Sequence, residues 1–309
     1  MSQPVMGAGQ RLVTDGGLET DLIFNRGIDL PEFAAYPLLR HDWGRSALRD
    51  YFAPYAALAA EVGAGLLVET PTWRANPDWG ARLGDDAAAL REVNLRAVEF
   101  AAALGASEAQ DAATVLVSGA IGPRQDGYVP GRPTTSTEAA EYHAPQVRAF
   151  AEAGADVVTA YTLIDRAEAI GVVLAARDSG LHVGISFTLE TDGRLPDGTA
   201  IGDAIAEVDA VAAPDHYLLN CAHPTHVAQA FAGADEPPAW THRVLGMRCN
   251  ASRRSHAELD DATDLDDGDP ATFATDHDVL GRHLPALAIL GGCCGTDVRH
   301  VESLWRRVA

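Results

Sequence analysis

Three of the four cysteines stand where short apolar runs end. Cys221 follows His216-Tyr-Leu-Leu-Asn220, and Cys293 and Cys294 lie in Gly291-Gly-Cys-Cys-Gly-Thr296. Zinc prefers soft thiolate ligands, held at about 2.3 Å in a tetrahedron. Three protein ligands leave the fourth position open, which is the catalytic pattern and not the structural one. Successive residues of a strand point to opposite faces, so Cys293 and Cys294 share one ion only if the backbone bends. Flanking glycines permit that bend. A short helix beginning near Asp297 would aim its N-terminus at the thiolates. A lone cysteine reads more simply as a small buried hydrophobe, and Cys249 is assigned to the core. The pair among glycines plus Cys221 is read as a Zn2+ site.

The chemistry follows from an open position. An alkyl thiol with a pKa of about 8.5 is mostly protonated at neutral pH, and coordination to zinc deprotonates it. The expected reaction is attack of that thiolate on an activated methyl group. A zinc hydrolase is the alternative, with water in the open position and His223, Asp15 or Glu19 as base. Three thiolates make zinc a poorer Lewis acid than three histidines would, which ranks this second. His223 and His226, spaced i, i+3, are read as a support behind the metal and the start of a surface helix.

These residues need a scaffold that brings two strand ends together. Eight short apolar runs read as strands: 11–15, 65–69, 114–118, 156–160, 183–187, 216–220, 244–248 and 287–291. Several are nearly continuous apolar runs, as in parallel strands buried on both faces. Alanine-rich helical stretches separate them, over 46–61, 85–104, 137–153, 166–177, 200–212, 225–231 and 272–283, with Ser136 as an N-cap. Eight alternations predict an α/β fold, a single-domain (β/α)8 TIM barrel over residues 1–309. No G-x-G-x-x-G loop follows the first strand, because Asp15-Gly-Gly-Leu-Glu lacks that spacing. Residues 24–42 and 250–270 read as long loops, the second carrying an acidic run that is read as solvated.

The chain has 309 residues, and one barrel of about 250 residues plus long loops accounts for it. A net charge of -21 repels nucleic acid and anionic lipid, so neither is expected as a partner. The N-terminus has no basic start followed by an apolar run, and no segment reaches the roughly 18 apolar residues of a membrane helix. A cytoplasmic location is expected, and a homo-oligomer is compatible with the sequence. Barrel enzymes place their reacting groups at the C-terminal strand ends. Those ends hold Asp15-Gly16, Glu69-Thr-Pro-Thr72, Asn220-Cys221, Cys249-Asn250 and the Cys-Cys pair. Thr70, Thr72 and Trp73 are read as pocket residues, Trp73 offering its ring to a cationic methyl donor.

Taken together, the motifs resemble the homocysteine S-methyltransferase family, which includes betaine-dependent enzymes and the N-terminal module of cobalamin-dependent methionine synthase. The resemblance spans nearly the whole chain. Its most specific element is Asn220-Cys221 combined with Gly291-Gly-Cys-Cys-Gly-Thr296. Asp15-Gly-Gly-Leu-Glu-Thr-Asp-Leu22, Ser118-Gly-Ala-Ile-Gly-Pro123, Ala153-Gly-Ala-Asp-Val-Val158, Ser186-Phe-Thr188 and Asp197-Gly-Thr199 support it. It implies a (β/α)8 fold, zinc on Cys221, Cys293 and Cys294, and a role in methionine biosynthesis. The implied partners are small molecules: a methyl donor (sulfonium, quaternary amine or methylated cofactor) and homocysteine or a related thiol as acceptor. With the strand-end reading, the substrate-binding candidates are Asp15, Gly16, Glu19, Asp21, Thr72, Tyr161 and Asn250, of which Asn250 matches an asparagine that recurs in the family after strand seven.

Two departures stand out. Members carry Glu-Thr at the end of strand four, where the glutamate holds the amino group of homocysteine; here the pair is Tyr161-Thr162. An acid found eight residues after the strand-one Asp is Ile23 here, with Glu19 or Asp21 as substitutes. Tyr161 is open to three readings: oxygen ligand, substrate hydrogen bond, or packing. A non-catalytic member that has lost turnover is the third functional alternative.

Overall fold

The structure, a computed structural model, describes residues 7, 9–233 and 236–308. Residues 1–6, read above for a leader, lie outside the described residues. Eight parallel strands close into a barrel in the order β1 to β8. They are β1 (Leu12–Val13), β2 (Gly65–Glu69), β3 (Val115–Ile121), β4 (Val157–Leu163), β5 (His182–Thr188), β6 (His216–Asn220), β7 (Val244–Cys249) and β8 (Ile289–Gly292). The fold is therefore the expected (β/α)8 barrel.

Helices α1 (Leu18–Thr20) and α2 (Asp42–Glu61) follow β1, and α3 (Pro77–Arg82) and α4 (Ala87–Glu108) follow β2. Then come α5 (Ser136–Ala153), α6 (Arg166–Asp178), α7 (Ile201–Ala212), α8 (Pro224–Gln229), α9 (His256–Asp260), α10 (Pro270–Gly281) and α11 (Val298–Val308). The helix expected over 85–104 is α4, and the short helix α3, not expected from the sequence, precedes it. Asn76 and Asp86 each cap a helix, and Gly84 turns between them at φ 82°. The cap of α5 is Thr135 and not Ser136, because Thr135 and Glu138 form the reciprocal capping box. The stretch after β1 is not a bare loop: a π-helical turn covers Asp21–Asn25, and 3-10 turns cover Pro31–Phe33 and Tyr36–Arg40.

The apolar residues divide into two layers. The larger lies between strands and helices, with Leu48, Val98, Phe150, Val172 and Trp305 among its members. A smaller cluster fills the barrel itself, built from Leu12, Leu67, Ala120, Val157, Tyr161, Leu218 and Ile289. The interior is thus a packed core that leaves room for chemistry only at its upper rim.

Two irregularities shape that rim. The β4–β5 register shifts between Ala160 and Leu163, so Tyr161 and Thr162 sit in a bulge, the usual device for re-aiming a side chain. β1 is shorter than the expected 11–15. Backbone bonds continue past it, from Thr14 to Leu290 at 3.0 Å and from Gly292 to Asp15 at 2.9 Å, while the chain turns at Asp15-Gly-Gly toward the cysteines.

Candidate metal centre and substrate cavity

The three cysteines are placed by the turns that end their strands. After β6, Cys221 adopts φ 57°, a conformation that costs a non-glycine residue on the order of 1 kcal/mol and persists only when its surroundings enforce it. The enforcement is visible at its carbonyl, which accepts from Asn250 Nδ2 at 3.0 Å and His256 Nε2 at 2.5 Å. After β8, Cys293 and Cys294 form a turn completed by Gly295 at φ 78°. Thr296 locks it by donating to the Cys293 carbonyl through its N–H (3.0 Å) and its Oγ1 (2.7 Å). Gly17 lies against the same carbonyl, where a Cβ would come within 2.5 Å.

All three sulfurs lie within 4.8 Å of one another, and Cys221 Sγ is 3.7 Å from Cys294 Sγ. A tetrahedral ion with metal–sulfur bonds of about 2.3 Å sets its sulfurs about 3.8 Å apart. The donor set and the spacing therefore fit a thiophilic metal ion. Hydrogen bonds from the Cys221 and Cys294 thiols push the Cys293 thiol toward thiolate, and the nearby Arg248 guanidinium adds to the effect. Asn220 Nδ2 stands 3.8 Å from Cys293 Sγ. Its side chain also bonds Thr162 N (2.9 Å), Thr162 Oγ1 (2.9 Å) and Ser186 Oγ (2.6 Å), tying β4, β5 and β6 together behind the sulfurs. Thr162, like Cys221, has a positive φ, 61°.

A cavity of about 80 Å³ opens beside the sulfurs. Asp15, Gly16, Glu19 and Tyr161, expected from sequence, line it; Glu69, Asn220, Tyr128 and Arg248 line it as well. Asp21, Thr72 and Asn250 do not reach it. Asp21 pairs with Arg26 at 2.6 Å, Thr72 Oγ1 donates to the Ala120 carbonyl at 2.7 Å, and Asn250 acts on the Cys221 backbone. His223 caps α8 by accepting from Thr225 N, and His226 Nε2 donates to the Arg253 carbonyl. Neither joins the cysteine cluster.

Charge in the cavity is unbalanced. Arg248, a buried cation at the end of an apolar strand, pairs with Asp15 at 2.8 Å and donates to the carbonyls of Gly292 and Gly16 at 2.9 and 3.0 Å. Asp15 also accepts from Tyr51 at 3.0 Å. Among the described residues Glu19 and Glu69 form no ion pair of their own, although the Arg248 charge reaches both. Burial pushes both carboxyls up to about 7. Glu69 Oε1 accepts from the Tyr161 hydroxyl at 2.5 Å, and its buried Oε2 has no partner among the described residues. Tyr161 therefore packs in the barrel interior and spends its hydroxyl on Glu69.

Tyr128 and His256 carried no readable signal in the sequence. The Tyr128 hydroxyl lies 3.0 Å from Cys221 Sγ, and its ring packs on His256 with centroids 4.3 Å apart. Tyr128 lies in the loop after β3 and His256 opens α9 after β7, and the approach of both to the cysteines depends on barrel closure.

The family model described as homocysteine S-methyltransferase matches residues 12–308. The chain belongs to that family. Homocysteine S-methyltransferase of Escherichia coli (strain K12) is 26% identical over 313 residues, covering 96% of this chain and 94% of its own. Two crystal structures of the E. coli homocysteine methyltransferase MmuM share the fold. The metallated form gives a TM-score of 0.72 at 21% identity over 96% of each chain. The oxidized form gives 0.75 at 22% identity, over 99% of this chain and 100% of that one. As a member of the homocysteine S-methyltransferase family, the chain is an S-methyltransferase enzyme. Among the described residues, no helix is long and apolar enough to cross a membrane.

Proposed function

We propose that this chain is a zinc-dependent methyltransferase that moves a methyl group from a sulfonium, a quaternary amine or a methylated cofactor to homocysteine or a closely related thiol. The observation that carries the reading is the convergence of three cysteine sulfurs, within 4.8 Å of one another, on the wall of a cavity. Cys221, Cys293 and Cys294 would hold the ion. When bound, Zn2+ supplies the positive charge that keeps a substrate sulfur deprotonated at neutral pH.

The remaining residues orient the thiol and exclude water. Glu69 and Glu19 are the cavity's carboxyls without an ion pair among the described residues, and they suit the ammonium group of an amino-thiol. Tyr161 holds the Glu69 carboxyl in one orientation through Oε1. The Arg248–Asp15 pair fixes the Asp15-Gly16 turn against β7 and β8. Asn220 and Asn250 steady the cysteines, while Tyr128, Trp73 and Phe33 shield the sulfurs from bulk solvent. Thr72 and Asp21 act from outside the cavity, by bracing the β2–β3 rim and the turn after β1. We place the enzyme in the cytoplasm and in methionine biosynthesis, as one barrel domain over residues 1–309.

The test is methyl transfer by zinc-loaded protein, with homocysteine as acceptor and S-methylmethionine, S-adenosylmethionine, betaine and methylated cofactors as donors. Methionine formed with at least one donor, and lost on Cys294→Ala substitution, is the expected result. No transfer to any thiol by protein that holds zinc would refute it.

A further inference from the structure

Arg74 is a cation near the candidate metal centre that forms no ion pair among the described residues. It follows β2, is only 8% exposed, and has its guanidinium between two indoles, 3.9 Å from the Trp73 ring centroid and 3.5 Å from that of Trp79. Ring faces satisfy the faces of a guanidinium. Its N–H donors lie in the plane and still require acceptors. Nε and Nη1 are buried with no acceptor among the described residues. A buried cation without a counter-charge is costly, the more telling in a chain with a net charge of -21. Burial, with the like charge of Arg82 adding to it, holds the group down to about 10 against the pull of Tyr128, Asp126 and Glu19.

Arg74 lines a second cavity of about 350 Å³ that lies outside the first. The two share Thr20, Phe33, Trp73, Tyr128 and Cys294, so the outer chamber reaches the candidate metal centre. The wall of this chamber also carries Asp126, Asp260, Asp264 and Asp266. Asp266 is committed to Ser252 at 2.6 Å. The chamber therefore combines one unanswered guanidinium with aromatic faces and carboxylates, a pattern that suits a small zwitterion. A carboxylate matches the planar donors of arginine, and a sulfonium or quaternary ammonium suits the rings and acids.

We infer that Arg74 is a specificity-determining residue of the methyl-donor site, where its guanidinium receives the carboxylate of a small onium donor held in the outer chamber. This rests on the thiol-methyltransferase reading above. Arg74 sets which donor is chosen and touches neither the metal nor the thiol.

The experiment compares donors that differ only in the carboxylate: betaine against tetramethylammonium, and S-methylmethionine against (3-aminopropyl)dimethylsulfonium. Zinc-loaded protein, homocysteine as acceptor, and the Arg74→Gln and Arg74→Lys variants are used, with homocysteine binding measured by calorimetry alongside. In the parent protein, the carboxylate-bearing member of at least one pair is expected to have the higher kcat/KM. Arg74→Gln should lower that value about 10- to 100-fold, the range of a lost charge-assisted hydrogen bond, and bring it near that of the carboxylate-free donor. Arg74→Lys should fall between. Trp73 and Trp79 provide a second readout: betaine alone should change tryptophan emission saturably in the parent and not in Arg74→Gln. Equal use of both members of each pair, a preference that survives Arg74→Gln, or no transfer from either carboxylate-bearing donor overturns the assignment. If homocysteine still binds, only the Arg74 assignment fails; if no homocysteine binds, the thiol reading fails with it.

Discussion

The Tyr161 hydroxyl lies 2.5 Å from Oε1 of Glu69, between the C-terminal ends of β4 and β2, and the other oxygen of that carboxyl is left without a partner. A buried acceptor of this kind costs roughly 1–3 kcal/mol when unmet. A ligand ammonium would meet it. Glu69→Gln is nearly isosteric and removes the charge. It is expected to weaken homocysteine about 10- to 100-fold, while 4-mercaptobutyrate, which lacks the amine, changes little. Calorimetric titration of both thiols into zinc-loaded protein checks this; equal losses for the two would count against an amine contact at Glu69. The double variant Glu69→Gln/Tyr161→Glu, which returns a carboxylate to strand four, should recover part of the selectivity.

The same carboxyl gives a pH dependence. Burial raises Glu69 from its ordinary 4.5 to about 7, so it is neutral below about 7 and charged above. Ammonium binding needs the charged form, so the advantage of homocysteine over 4-mercaptobutyrate should grow as pH rises through about 7. The Tyr161 hydrogen bond holds this carboxyl lower than burial alone would. Tyr161→Phe should therefore move the midpoint to higher pH. An advantage that is flat from pH 6 to 8 would show that Glu69 does not govern it.

Stability follows the same group with the opposite sense. A carboxyl whose folded pKa is raised favours the folded state fully below 4.5, and that contribution disappears as pH rises through about 7. The melting temperature of Glu69→Gln relative to the parent should thus rise between pH 5 and pH 8. Parallel melting curves for the two proteins at both pH values would contradict this.

Arg248 and Asp15 form a buried pair at 2.8 Å. Arg248→Met leaves Asp15 charged in the barrel mouth with only Tyr51 and Thr14 to stabilise it. Breaking such a pair costs about 3–5 kcal/mol, readable as a lowered midpoint in urea. A change under about 1 kcal/mol would place Asp15 in contact with water.

Much of this architecture was legible in the sequence because barrel strands announce themselves. The runs at Gly65–Glu69 and His216–Asn220 match their strands residue for residue, since both are apolar and bounded by turns. The three cysteines were legible for the same reason: each falls at a strand end, and strand ends share one rim. Thr72 was less so. It stands two residues from Thr70, which faces the cavity, yet its hydroxyl turns to the Ala120 carbonyl. Glu69 appeared only as the end of a strand. Its partnership with Tyr161 depends on the bulge in β4, and no pattern along the chain marks a bulge of that kind. Arg248 was hidden in an apolar run, and Tyr128 and Arg74 belong to segments whose neighbours are set only when the barrel closes.

Metal content tests the central claim most directly. Protein purified under reducing conditions should carry about one Zn2+ per chain by elemental analysis. Cys221→Ala, Cys293→Ala and Cys294→Ala should each lose most of it while keeping the far-ultraviolet dichroism of the barrel, and Cys249→Ala should keep the metal. Parent protein that holds no zinc and takes none up when it is supplied would contradict the account.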